Sequence, residues 1–236
     1  MTERDPNAAP GPTAIDPYQN LLAIRQEIAD AVSGIAREPQ DITIVAVTKK
    51  HGVERILPLL EGGHRVFGEN RVQEAQGKWP DLRPRYPDLT LHLIGPLQSN
   101  KTADAVALFD VIETVDRPKI ANAIATECAR QNRSVDVFIQ VNTGDEPQKA
   151  GVRLEDLEAL VTLTRDELSL PLKGLMCIPP VDEAPAPHFA LLAKLSDRYG
   201  LVGRSMGMSG DFAIAASLGA THVRIGTQIL GPRPPT

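Results

Sequence analysis

Three parts of this 236-residue chain carry residues that could do chemistry together. Near the C-terminus, Ser209 follows one apolar segment and the pair Gly226-Thr227 follows the next. Endings of this kind leave backbone N–H groups open and add hydroxyls, which is how barrel proteins hold a phosphate after their last two strands. Far upstream, the apolar run 42–47 leads directly to Lys49, whose amine can attack an aldehyde. Together these residues indicate a ligand that carries both an aldehyde and a phosphate.

The lysine and an arginine are both predicted to point into a barrel. Side chains of a barrel strand alternate between the interior and the helices, so Lys49 should share the inward face of Val45 and Val47. Burial there favours the neutral, nucleophilic amine. In the last strand candidate, Val223 and Ile225 should meet the helices, so Arg224 should point inward and needs a partner. A ring nitrogen of a cofactor and an internal carboxylate both remain open as that partner.

Alternating apolar elements position these residues. The strand candidates span residues 42–47, 65–68, 89–95, 111–115, 135–142, 172–178, 201–207 and 222–226. The helix candidates between them span residues 53–61, 70–78, 99–108, 118–131, 154–164, 187–199 and 211–218. Asp16 and Pro17 are a good N-cap and first residue for an additional helix in front. Strict alternation predicts parallel strands, and eight of them at this length favour an α/β fold closed as a (β/α)8 TIM barrel.

Composition and chain ends narrow the functional classes. We predict a disordered extension over residues 1–15, a single barrel domain over 16–231 and a flexible tail over 232–236. A net charge of −5 argues against nucleic acid as a partner. The start of the chain lacks the apolar region of a signal peptide, and no stretch is apolar enough to cross a membrane. Cys128 and Cys177 form neither a disulfide framework nor a metal signature, so we expect no metal and a cytoplasmic location.

Six blocks in this order resemble one family. They are Ala46-Val-Thr-Lys49, Phe67-Gly-Glu-Asn70, His92-Leu-Ile-Gly-Pro-Leu-Gln-Ser-Asn-Lys101, Gly174-Leu-Met176, Ser205-Met-Gly-Met-Ser209 and Arg224-Ile-Gly-Thr227. The chain resembles, from about residue 16 to residue 231, the pyridoxal phosphate homeostasis proteins, the YggS/PROSC family. The resemblance implies a barrel of the alanine-racemase type, a fold-type III pyridoxal 5′-phosphate (PLP) protein. It departs from the family at Thr48, where Ser is frequent, and in its Pro-rich N-terminal extension.

The resemblance also assigns cofactor-binding residues. By position in the first block, Lys49 carries PLP as a covalent aldimine. The positions that match the family's other cofactor-binding residues are, in chain order, Asn70, His92, Ser209, Arg224, Gly226 and Thr227. Ser209, Gly226 and Thr227 match the residues that hold the phosphate. Asn70 and His92 match pocket residues near the ring, and Arg224 matches the arginine at the ring nitrogen. Lys101 and Lys149 match family lysines whose roles stay open.

The same residues separate a carrier from an enzyme. An arginine at the pyridine nitrogen disfavours its protonation, so the ring is a weaker electron sink. We also expect the C-terminal β domain of the racemases, which supplies their second base, to be absent. We therefore predict intracellular PLP homeostasis, that is buffering and delivery of PLP, with little or no turnover and no catalytic residues. The expected partners are PLP and PLP-dependent apo-enzymes, and the expected state is a monomer.

Three alternatives remain open. A low-activity PLP-dependent amino-acid racemase would convert L-alanine to the D-isomer. A class I aldolase-like barrel would have a Schiff-base lysine without PLP and no yellow colour. A plain phosphate-binding barrel would leave Lys49 idle, as a solvated lysine at a strand end. Separately, Ser209 could act only as a helix N-cap and not bind phosphate.

Overall fold

The barrel predicted from the alternating pattern is present and closed. The computed structural model describes residues 15–146 and 148–232 of the chain. Eight parallel strands follow one another around the barrel, and the last pairs with the first. The strands are β1 (Thr43–Val47), β2 (Val66–Glu69), β3 (Thr90–Leu93), β4 (Val111–Val115), β5 (Asp136–Val141), β6 (Leu172–Cys177), β7 (Gly203–Ser205) and β8 (His222–Ile225).

Helices form the outer layer. They are α1 (Pro17–Val32), α2 (Val53–Glu61), α3 (Val72–Gln76), α4 (Thr102–Leu108), α5 (Pro118–Gln131), α6 (Leu157–Thr162), α7 (Pro185–Arg198), α8 (Phe212–Ser217) and α9 (Thr227–Leu230). Short 3-10 turns lie at Pro39–Asp41, Ser99–Lys101 and Leu154–Asp156, and a π-helical turn at Leu163–Glu167. The main apolar core lies between strands and helices, because the outward strand residues and the inner helix faces bury one another.

The additional N-terminal helix is where the sequence predicted it. The Asp16 carboxylate accepts hydrogen bonds from the backbone N–H groups of Tyr18 and Gln19, so it caps α1. α1 packs against α2, α8 and α9, which neighbour β1 and β8 in the chain. The Asn20 side chain donates to the Ile229 carbonyl at 2.9 Å. α1 therefore packs over the helices that neighbour the two strands that close the barrel.

Several element boundaries differ from the prediction. β7 is three residues long rather than seven, and the helix predicted over 154–164 divides into 3-10, α and π turns. α9 has four residues and was not predicted, because so short a helix has no apolar periodicity. The predicted extension and tail lie outside the described residues except for Ile15 and Pro232, so the division into 1–15, 16–231 and 232–236 stays a prediction. Among the described helices, none combines the length and apolarity that a bilayer crossing requires.

Candidate functional site

Barrel closure brings the two distant chemical motifs together. β1 pairs with β8 in the register Ala46 to Ile225, so Lys49 and Gly226 both follow neighbouring strand ends at the C-terminal mouth. A Cβ atom added to Gly226 would lie 3.3 Å from the Val47 carbonyl oxygen, which measures how closely the two strand ends approach. The amine and one of the two predicted phosphate-binding turns thus belong to one rim.

The turn after β7 provides the other small-residue ending. Gly207 has a φ of +94° and a Cβ there would lie 2.5 Å from Ala215, so only glycine fits this turn against α8. Ser209 was considered as a possible helix N-cap, but this interpretation is wrong. The N-cap residue of α8 is Asp211, whose carboxylate accepts from the Met208 N–H at 2.6 Å. Within the described chain, the half-buried Ser209 has no hydrogen bond to its hydroxyl, so that group is available to a ligand.

The turn after β8 presents backbone donors. α9 begins at Thr227, and the first N–H groups of a helix have no acceptor inside it. Gly210 has open space where its side chain would be, so a ligand can approach the neighbouring β7 turn. The Arg224 N–H donates to the Gly207 carbonyl at 2.9 Å and ties the two strand ends to each other. This arrangement can hold an anion through backbone N–H groups and two hydroxyls.

Arg224 points into the barrel, as predicted, and is only 4% exposed. Its guanidinium donates to the Ser205 hydroxyl at 2.7 Å and to the Cys177 carbonyl at 2.8 Å. The Ser205 hydroxyl in turn donates to the Glu113 carboxylate at 2.5 Å. Of the two partners that the sequence left open, the structure therefore contains the internal carboxylate, reached through one hydroxyl.

Glu113 is the buried anion beneath this arginine. Burial alone would raise its pKa, but the hydrogen bond and charge of His92, with the charges of Arg224 and His222, lower the pKa to about 2. The carboxylate is therefore ionised at neutral pH and compensates the buried guanidinium.

His92 joins the same network. Its Nδ1 atom donates to the ionised Glu113 carboxylate at 2.6 Å. Its ring lies 5.9 Å from that of His222, and both line a cavity of about 580 Å³ at the N-terminal mouth. Burial lowers the pKa of His222 to about 4, although Glu113 raises it, so His222 is neutral at pH 7. His92 is linked to Arg224 through Glu113 and Ser205, and its contact with a cofactor ring stays a prediction.

Asn70 lies at the end of β2, next to the strand that carries Lys49. Its Oδ1 atom is buried and has no hydrogen-bond partner in the described structure. A buried unpaired acceptor costs free energy unless a ligand or water completes it. This orphaned oxygen supports the predicted role of Asn70 in a binding pocket.

Sequence reasoning missed the residues that fix the Lys49 loop. Lys78 has its Nζ atom 2.7 Å from Glu69, and donates to the carbonyls of Thr48 and His51 at 2.8 and 3.1 Å. Thr48 also donates to Glu69 at 2.6 Å, so the residues on both sides of Lys49 are held. Burial raises the pKa of Glu69 although Lys78 opposes this effect. Glu69 and Lys78 carry opposite charges on either side of α3, but the loop that they hold follows another strand, β1.

The loop also has an unusual backbone conformation at its next residue. Lys50 has a φ of +64°, which is uncommon for a residue other than glycine. Its N–H donates to the Glu74 carboxylate, and Glu74 also lies 3.2 Å from the Lys78 amine. These bonds keep the chain turning sharply away immediately after Lys49.

Comparison with known proteins agrees with this geometry. The family model "Alanine racemase, N-terminal domain" matches residues 20–234. A Vibrio cholerae protein named "Pyridoxal phosphate homeostasis protein" is 39% identical over 225 residues, which cover 91% of this chain and 95% of the relative. The Escherichia coli protein of the same name is 35% identical over 227 residues, which cover 92% of this chain and 97% of that protein.

Solved structures give the same relationship in three dimensions. The structure of PipY from Synechococcus elongatus with PLP bound is 34% identical, with a TM-score of 0.79 over 91% of this chain and 100% of that chain. An alanine racemase from Clostridium difficile is 17% identical, with a TM-score of 0.70 over 93% of this chain and 57% of that chain. At that identity the racemase shares the fold alone.

Proposed function

We propose that this chain, which belongs to the family of pyridoxal phosphate homeostasis proteins, binds PLP at the C-terminal mouth of its barrel. The protein would hold PLP there for delivery to other proteins. One observation carries the proposal. Closure of the barrel sets Lys49 beside the Gly226-Thr227 turn, with the Ser209 turn next in the ring of strands. An amine and an anion-binding turn at neighbouring strand ends suit a small aldehyde that also carries a phosphate.

The residues present fit this cofactor. Ser209, Gly226 and Thr227 would hold the phosphate through hydroxyls and backbone N–H groups, and Arg224 would face the pyridine nitrogen. The unpaired Asn70 oxygen and the open space at Gly210 are features that a bound ligand would use. Bound there, PLP would supply an aldehyde that condenses with the Lys49 amine into a Schiff base, with the loss of one water molecule.

The electrostatics favour storage over catalysis. Arg224 is permanently charged, and its bonds to Ser205 and the Cys177 carbonyl fix it in place. A fixed positive charge at the ring nitrogen disfavours protonation of that nitrogen. Bound PLP would therefore be a weaker electron sink than in strong PLP catalysts, where this nitrogen is protonated. We infer little or no turnover, with PLP-dependent apo-enzymes as recipients. Incubation of the pure protein with L-alanine tests this inference, and D-alanine formation at enzyme-like rates would refute it.

Two further expectations accompany this function. The two cysteines of the described chain, Cys128 and Cys177, are free, which suits a reducing cytoplasm. Burial raises the pKa of Cys177 to about 12, so this thiol is inert. A monomeric state stays a prediction, to be measured by light scattering of the loaded protein.

A visible spectrum followed by chemical fixation tests the site itself. The purified protein, supplied with PLP, should turn yellow, and borohydride reduction should leave a phosphopyridoxyl group on the peptide that contains Lys49. A colourless protein, or a label on another side chain, would contradict the proposal. Lys50 is the matched control, because it is the adjacent residue and its side chain is exposed.

A further inference from the structure

A second cleft lies beside the proposed cofactor site, and the proposed function does not use it. It has a volume of about 690 Å³ and lies between the chain after β2 and the chain after β3. Asn70 lines it and is also a candidate for the cofactor pocket, so the cleft adjoins the barrel mouth. A Cβ on Gly95 would lie 2.2 Å from the Asn70 carbonyl oxygen, so the absence of a side chain at Gly95 allows the two walls to meet.

The charges in this cleft are all positive. Arg71, at the N-cap position of α3, and Lys101, at the end of the Ser99–Lys101 turn, both line it. Within the described chain neither forms an ion pair, and no Asp or Glu is among the lining residues. The protein as a whole has a net charge of −5, so two unpaired cations in one cleft make a local attraction for anions.

The remaining lining suits a ligand with both polar and apolar parts. Gln73 and Gln98 supply side-chain amides that can donate to phosphate oxygens. Val72 and Leu97 are 4% and 3% exposed and give the cleft an apolar wall. Cations together with apolar surface are typical of sites for small ring-bearing anions.

We propose that this cleft binds a phosphate monoester that carries an apolar ring, in addition to the molecule held at Lys49. Arg71 and Lys101 bind the phosphate dianion, and Val72 and Leu97 contact the ring. The site recognises the phosphate ester through its two cations and its apolar wall, so the ligand needs no aldehyde. It therefore goes beyond the proposed function and does not depend on the Lys49 linkage.

The test uses a phosphate ester that cannot react with an amine. The full chain is loaded with PLP, reduced with borohydride to block the first site, and titrated calorimetrically with pyridoxine 5′-phosphate at low salt. One equivalent should bind saturably, inorganic phosphate should compete, and pyridoxine without phosphate should not bind. Added salt should weaken binding, because the contacts are partly exposed.

A double variant locates the binding. Arg71→Gln with Lys101→Gln should weaken the affinity at least about tenfold, the size expected for loss of two partly exposed charge contacts. The control, Lys119→Gln with Lys194→Gln, removes the same charge from exposed residues elsewhere and should bind normally. Thermal unfolding of both variants verifies that they fold.

Two results would overturn the proposal. One is no saturable binding to the reduced protein, and the other is equal affinity in the double variant and its control. A mass spectrum of the reduced protein reports separately whether Lys49 carries the label. Failure of the proposed cofactor site and failure of the second site are therefore distinguishable.

Discussion

The amine of Lys78 lies 2.7 Å from the Oε1 atom of Glu69, and both side chains are buried under the loop that carries Lys49. The lysine side chain is 9% exposed and the glutamate 0%. The same amine donates to two backbone carbonyls of the Lys49 loop, so the pair determines where that loop leaves β1. Such support would restrict the geometry of Lys49, the proposed reactive residue, which itself lies outside regular structure.

Removal of the buried cation should destabilise the protein. In Lys78→Met the Glu69 carboxyl loses its cationic partner, and we expect a loss of about 3 kcal/mol in the free energy of unfolding. Urea unfolding measures the change. Arg198→Met breaks an exposed pair with Glu158, with side chains 62% and 66% exposed, and should cost about 0.5 kcal/mol or less. Equal costs in the two variants would contradict this interpretation of the buried pair.

Replacement of the proposed reactive lysine should abolish covalent attachment but not all binding. Lys49→Arg replaces the amine with a guanidinium, which cannot form a stable Schiff base, so the yellow colour and the borohydride label should disappear. The phosphate turns are unchanged, and some PLP should still be retained, as equilibrium dialysis would measure. Lys50→Arg should keep both colour and label. A label that persists in Lys49→Arg would identify another amine.

The anion beneath Arg224 should be necessary for stability and for cofactor retention. Glu113→Gln places a neutral amide beside His92 and Ser205 and leaves the guanidinium charge uncompensated. We expect a loss of about 3 kcal/mol in unfolding free energy and faster PLP release, since breaking a buried charge network is expensive. Urea unfolding and PLP dissociation measure the two effects. Glu155→Gln, at an exposed pair, serves as the control, and unchanged PLP release in Glu113→Gln would separate this carboxylate from the cofactor site.

Stability should fall as the pH drops from about 6.5 to about 4. Burial lowers the pKa of both His64 and His222 from 6.5 to about 4. Between these pH values the two histidines become protonated in the unfolded chain but stay neutral in the folded chain, so acidification favours unfolding. Each histidine contributes about 1.4 kcal/mol for every pH unit that separates its unfolded pKa from its folded pKa. Below pH 4.5, protonation of Glu113 in the unfolded chain adds to the loss, down to its folded pKa of about 2.

One substitution isolates part of this pH dependence. His64 lies 2.7 Å from the Val66 carbonyl through its Nε2 atom, and Arg25 and Arg65 also lower its pKa. His64→Gln can keep a donor there without a titrating group, so its stability should change less steeply between pH 6.5 and 4. Thermal midpoints measured across that range check the slope, and a slope equal to that of the natural protein would contradict the assignment.

The close approach at Gly95 should tolerate no side chain. In Gly95→Ala the new Cβ would lie 2.2 Å from the Asn70 carbonyl oxygen, so the chain after β2 must shift. We expect destabilisation of about 1–3 kcal/mol, the range for overpacking, with weaker binding of PLP, because Asn70 moves. Gly77→Ala is the control, since its nearest backbone neighbour is 3.7 Å away and alanine reduces unfolded-chain entropy. The midpoint of thermal unfolding should fall in Gly95→Ala and rise in Gly77→Ala.

The sequence predicted most of the architecture because the repeating apolar pattern directly reflects burial. The bounds of α2 and α5 and those of β4 agree with the prediction, since each has clear start and stop residues. β7 was overestimated, because residues outside the ladder in that segment are also buried. An apolar pattern in the sequence indicates buried residues, and a parallel barrel buries residues of loops as well as of strands. The pattern alone therefore does not fix where a strand ends.

In the candidate site, the positions of the rim residues could be predicted from the sequence, and the contacts that support them could not. Alternation along β8 correctly placed Arg224 inside the barrel, because only one face of that strand could meet the helices. The bonds from Arg224 through Ser205 to Glu113 join three strands, and their register depends on the tilt of the whole barrel.

Pairing of β1 with β8 has a consequence for synthesis of the chain. The ribosome makes Lys49 long before Thr227, so a growing chain cannot complete the proposed site until β8 has been made. A product that stops before β8 also leaves an open edge on β1, the type of edge that draws chains into aggregates. Under the proposed function, a chain can therefore bind PLP through both motifs only after β8 has been made and has paired with β1.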